Sequence, residues 1–236
     1  MCMAVIKRSE NCDFSFFVAV NREEKNNSEW KSWGYHWSHY PDCYGCKDVN
    51  TGGSWIAIND NAVLSILINR ELTRNSGHMS RAFIVLEAIN GAKRACDVVD
   101  TLSTRDFSCY KPFSVVVVDK QKICYYTNEN TEAQTNPADK TLYGDLFLVN
   151  RSFPNDFSQT RVMKNYYRFL KATEPNPSLN EYTEWISILS ETCYTDCPET
   201  EFSMTLISDQ WRTLSSVIIS IPASGAYPVI RDCEVA

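Results

Sequence analysis

Cys2 follows Met1 directly, and a residue as small as cysteine in second place lets an aminopeptidase remove the initiator. That step leaves a thiol and a free α-amine on one residue, the arrangement in which an amine acts as general base for its own nucleophile. The run Phe16-Phe17-Val18-Ala19-Val20-Asn21-Arg22-Glu23-Glu24 ends an apolar stretch in an amide, a guanidinium and two carboxylates. Arg22 or Glu23 is placed by type to hold that amine. Asn69 and Asn150, each ending an apolar run and each followed by arginine, could donate to an oxyanion. Arg212 could steady a substrate carboxylate or the thiolate.

A second constellation is His36-x2-His39-x3-Cys43-x2-Cys46. Its residue types suit zinc, but its short spacing denies the chain the arm it needs to fold back on the ion. Lys47 after Cys46 excludes the Cys-x-x-Cys-His of covalent haem attachment. No metal site is assigned. His36 and His39 sit among Trp30, Trp33, Tyr35, Trp37, Tyr40 and Tyr44, rings that could stack on a flat macrocycle. Haem iron is commonly held by His, Cys or Tyr. Cys193-x3-Cys197 reads as two free thiols, and Cys197-Pro198 is a pair seen in some haem sensors. Gly52-Gly53 is followed by no lysine and no helix, so it is not a phosphate loop.

Composition sets the frame for these groups. The chain has 236 residues, 44% of them hydrophobic, and no low-complexity tract, which predicts a single domain over 1–236. A net charge of −6 gives no global pull toward nucleic acid or anionic lipid. No apolar run reaches the ~20 residues of a membrane span, and the first residues do not read as a signal peptide. Ten cysteines without such a signal are expected to be reduced, in a cytoplasmic protein.

The positioning elements follow from pattern. Residues 2–7 and 14–20 predict a hairpin, and 24–50 a long loop. Residues 56–59 and 62–69 predict a second hairpin around Asp60-Asn61. Helices are expected over 80–89, 93–102, 158–171 and 179–190. Strands are expected over 112–119, 122–127, 146–149, 202–207, 215–221 and 227–231, with a polar loop over 128–140. Strands, helices, strands, helices, strands is the order of an α+β fold. It predicts an αββα sandwich of two stacked, mainly antiparallel sheets with outer helices.

Several motifs coincide in order with one family. Met1-Cys2, Val20-Asn21-Arg22-Glu23-Glu24, Gly52-Gly53-Ser54-Trp55, Leu67-Ile68-Asn69-Arg70, Tyr143-Gly144 with Val149-Asn150, and Arg212 to Ser216 resemble the Transport and Golgi organisation protein 2 family, also called the NRDE family. Glu23 stands where that motif has Asp, and Ser54 where it has Thr. The resemblance implies an N-terminal-nucleophile-hydrolase-like fold, and links to haem trafficking and to lipid or acyl-CoA homeostasis. The function it implies is haem binding and delivery, with His36, His39, Cys2, Tyr40 and Trp37 as the candidate contacts and a haem-acceptor protein as a transient partner. The alternative is a cysteine hydrolase of linear amides or acyl thioesters, built from Cys2, Arg22, Glu23, Asn69, Asn150 and Arg212. In either case the partner is a small-molecule cargo, haem or an acyl compound.

Overall fold

The computed structural model describes residues 2–70, 77–129, 141–194 and 202–233. Cys197-Pro198, Glu71 and most of the 128–140 loop lie outside the described residues, as do the side chains of 193–194. The chain divides into two compact units. The first is made of both chain ends, 1–27 and 144–236, and the second is 28–143.

The first unit is built on strands β1 (Cys2–Arg8) and β2 (Phe14–Lys25), which pair antiparallel with Cys2 opposite Arg22 and Arg8 opposite Phe16. The N-terminal hairpin is therefore as expected, but β2 runs on through Asn21-Arg22-Glu23-Glu24 instead of stopping before it. β1 also pairs with β9 (Leu146–Val149), Ala4 opposite Val149. On the other side β2 pairs along nearly its whole length with β12 (Trp211–Pro222). β13 (Val229–Cys233) and β11 (Thr205–Ile207) flank β12, and a short parallel strand β10 (Thr192–Tyr194), missed in the sequence, closes the edge.

Helices α3 (Thr160–Lys171) and α4 (Thr183–Ser190) cover one face of this sheet. Side chains alternate along a strand, so Met3, Val5, Phe17, Ala19, Leu148 and Ile218 meet Val162, Phe169, Trp185 and Leu189 in one core. Trp185 is fully buried there, edge-on to Phe17 and Phe169. The same alternation turns Cys2, Ala4, Val18, Val20 and Arg22 to the opposite face.

The second unit is a six-stranded antiparallel sheet in the order β3-β4-β5-β6-β7-β8. Its strands are β3 (Trp30–Gly34), β4 (Cys43–Asp48), β5 (Ile56–Asn59), β6 (Leu64–Asn69), β7 (Phe113–Val118) and β8 (Ile123–Thr127). The long loop expected over 24–50 is thus corrected: it holds two strands. Its non-alternating residues (Lys31 and Ser32 exposed, Lys47 half-buried) and a register shift between Lys31 and Gly34 hid the pairing. Short helices α1 (Ile84–Ile89) and α2 (Ala95–Ser103) pack on Phe113, Val115 and Val117.

The Gly52-Gly53-Ser54-Trp55 motif turns out to be a packing device. Gly52 has φ +77, which favours glycine. A Cβ on Gly53 would lie 2.1 Å from the Ala82 carbonyl oxygen, to which Ser54 donates its N–H at 2.7 Å. The Ser54 hydroxyl lies 2.7 Å from both the Cys46 and Ile56 carbonyls.

Candidate functional site

The β1–β2 register brings Cys2 and Arg22 side by side at one end of the first unit's sheet. Cys2 is buried, and burial pushes its thiol pKa up. The Arg22 charge and the Glu23 backbone N–H pull it down without offsetting that desolvation. Arg22, buried with it, places Nη2 3.8 Å from Glu24 Oε2.

Glu23 takes a different course. Its neighbour by two, Asn21, donates from Nδ2 to the Leu189 and Met204 carbonyls at 3.2 and 2.9 Å, on the helix-covered face. Glu23 follows to that same face, where its carboxylate is fully buried and pairs with Arg161 of α3. Arg161 also donates to the Met204 carbonyl. The acid that joins Arg22 is therefore Glu24, and the partner of Glu23 is an arginine that sequence reasoning did not single out. The period-2 rule could have separated Glu23 from Glu24. Nothing local marks Arg161, which is 138 residues away in sequence.

The other candidates are spread more widely. Asn150 follows β9 directly and is buried, with an Oδ1 that has no hydrogen-bond partner among the described residues. Asn69 ends β6 in the second unit, opposite Phe113. Arg212 is exposed and stands opposite Glu24 in the β2–β12 register. Next to Asn69, Arg70 is buried with Glu129, to which its Nε donates, and with the Tyr125 hydroxyl at 3.0 Å and Ser114 Oγ at 3.4 Å. Burial raises the Tyr125 phenol.

The histidine segment lies between β3 and β4. His39 is exposed, and the Nε2–H of half-buried His36 donates to the Ser32 carbonyl at 2.7 Å, which leaves Nδ1 as its acceptor. Trp37 is in the core, its indole N–H donating to the Gly52 carbonyl at 2.7 Å, and Tyr40 packs against the same core. The outward rings are others: Tyr35 is 60% exposed and contacts Tyr44, which stacks on Trp33. Among the described residues no group of three His, Cys, Asp or Glu is placed to hold a metal ion, and no helix is long and apolar enough to cross a membrane.

Comparison with known proteins adds the following. The family model described as Transport and Golgi organisation 2 matches residues 1–229. No match is found among curated proteins. Among solved structures, an orthologue of N-acylethanolamine-hydrolysing acid amidase from Caenorhabditis elegans is similar, with a TM-score of 0.53 and 9% identity over 92% of each chain. The Cys2→Ala mutant of a conjugated bile acid hydrolase from Clostridium perfringens has a TM-score of 0.46 and 9% identity, over 98% of this chain and 92% of that one. The likeness to the first shows the fold: an α+β sandwich of two mainly antiparallel sheets, N-terminal-nucleophile-hydrolase-like, as the order of elements predicts.

Proposed function

Because the chain belongs to the Transport and Golgi organisation 2 family, we propose that it is a cytoplasmic carrier that binds haem and hands it to an acceptor protein. The observation that carries this reading is the state of Cys2. Its thiol is held protonated by burial, and the nearby Glu23 carboxylate is spent on Arg161. A protonated thiol is a poor nucleophile, so the constellation is poorly suited to cutting.

For haem itself, the exposed imidazole of His39 and the outward ring of Tyr35 fit an axial ligand and an edge contact. Trp37 and Tyr40 do not fit a stacking role, since both are packed against the second unit's core. His36 keeps only Nδ1 for such a contact. Haem titration followed by the Soret band tests the proposal. A saturable shift that weakens in His39→Ala is the expected result, and its absence in the wild-type chain overturns the reading.

A second reading is favoured by the Glu23 N–H and the Arg22 charge at the Cys2 sulfur. With Met1 removed, the α-amine of Cys2 takes the thiol proton as sulfur attacks an amide or thioester carbonyl. The acyl group passes to sulfur, and the protonated amine delivers the proton to the leaving group. Water then releases the acid and restores the thiol. Intact mass shows whether Met1 is gone; retained Met1 excludes this reading. Cys2→Ser should abolish such hydrolysis and leave the haem titration unchanged.

A further inference from the structure

Helix α3 packs one face against the sheet through Val162, Asn165 and Phe169. Its other face is apolar where solvent-facing helices are usually polar. Met163, Tyr167 and Leu170 are 40%, 57% and 45% exposed, and Phe157 just before the helix is 46% exposed with its ring against Tyr166. Four of the twelve large hydrophobic side chains exposed among the described residues thus fall within fourteen residues. At ~100° per residue, Met163, Tyr167 and Leu170 form a ridge about 60° wide. Lys164 and Lys171, both exposed, lie along one flank of it.

Charge decides what this ridge fits. The helix Thr-Arg-Val-Met-Lys-Asn-Tyr-Tyr-Arg-Phe-Leu-Lys has four basic residues and no acid, in a chain of net charge −6. Two of the nearby acids are neutralised by arginines of the helix itself. Glu23 pairs with Arg161, and Glu191 with Arg168 at 2.5 Å. Asp156 and Glu184 keep their charge, Asp156 accepting from Ser158 and Gln159 and Glu184 from Thr173, all neutral donors. Outside these ion pairs the helix's exposed cations are the two lysines beside the ridge, Lys171 and Lys164, the latter with Nζ 4.3 Å over the Phe202 ring. An apolar ridge with a lysine flank is the pattern of a helix lying in a membrane interface, its rings among the acyl chains and its ammonium groups at the headgroups.

We propose that the outward face of α3 docks the protein on an anionic membrane surface. A neutral bilayer offers the ridge but not the counter-charge, and a globally acidic chain approaches an anionic bilayer only through a local basic face. The contact is peripheral and needs no spanning segment.

The test is flotation of the full chain with vesicles of phosphatidylcholine alone or with phosphatidylserine added to ~30%. Binding is expected only with phosphatidylserine and should weaken in high salt. Lys164→Gln and Lys171→Gln should each lower the bound partition coefficient about 5-fold. Met163→Asp with Leu170→Asp should abolish binding, while the circular dichroism and thermal midpoint stay those of the wild type, because both side chains are exposed. No flotation on anionic vesicles, or equal flotation of these variants, overturns the proposal. So does a concentration-dependent dimer of the wild type that the double aspartate variant abolishes, since the ridge is then a contact between two copies.

Discussion

Removing Arg161 should be among the most damaging single changes in the first unit. Its guanidinium is 15% exposed and the Glu23 carboxylate it meets is 0% exposed. Arg161→Met keeps much of the side-chain volume but leaves a buried carboxylate without its cation and the Met204 carbonyl without that donor. Two opposite charges about 4 Å apart attract by about 4 kcal/mol at an effective dielectric near 20, and breaking a buried pair from one side costs about 3–5 kcal/mol. With a urea m-value of about 2–3 kcal/mol/M, the midpoint should fall by about 1–2.5 M. The control is Arg161→Met combined with Glu23→Gln, which removes both charges and should recover part of the loss. Urea unfolding by far-UV circular dichroism at pH 7 measures all four chains of the cycle. A loss below about 1 kcal/mol for Arg161→Met, or a double variant that loses the sum of the two singles, would refute the claim that the buried pair fixes Glu23 on the helix side.

Other expectations follow from packing and burial. Trp185→Ala removes a fully buried ring between Phe17 and Phe169 and should cost about 3–5 kcal/mol, read in the same assay. Gly53→Ala forces a methyl against the Ala82 carbonyl; thermal denaturation should show the loss, whereas Gly91→Ala, with open space but φ +69, should be milder. Burial raises the thiols of Cys124 and Cys233 from 9.0 to about 11. The unfolded thiols ionise first, so stability is full below pH 9 and declines as pH rises from 9 toward 11. Urea midpoints across that window should fall, with a smaller slope in Cys124→Val. In alkylation at pH 8 with mass detection, exposed Cys12 and Cys109 should label well before buried Cys2.

What could be read from the sequence was whatever local pattern encodes. The β1–β2 and β5–β6 hairpins, the valine run of β7 and the helix α3 carry their own periodicity, and all form near the expected bounds. β3 and β4 were hidden because Trp30–Gly34 is exposed or half-buried throughout and Cys43–Asp48 buried or half-buried throughout, neither with alternation. β10 is three residues long and parallel, too short to leave a pattern. At the site, the proximity of Cys2 to Arg22 was legible from the hairpin, since register follows the turn. The split between Glu23 and Glu24 required knowing that β2 continues as a strand beyond Val20. That in turn depends on β12, nearly two hundred residues later, running alongside it.

The order of the strands also sets a timetable. β1 and β2 leave the ribosome first, yet their lateral partners β9 and β12 begin only at Leu146 and Trp211. At ~5–20 residues per second of synthesis, about 10–40 s separate the emergence of β2 from that of β12. Meanwhile the second unit, continuous from 28 to 143, can fold on its own segment. Until β9 emerges the Cys2 end has only a two-stranded hairpin around it, which is marginally stable in water. Any trimming of Met1, or capture of the thiol, has its opening then, and the last large strand to be made is the one that shuts it.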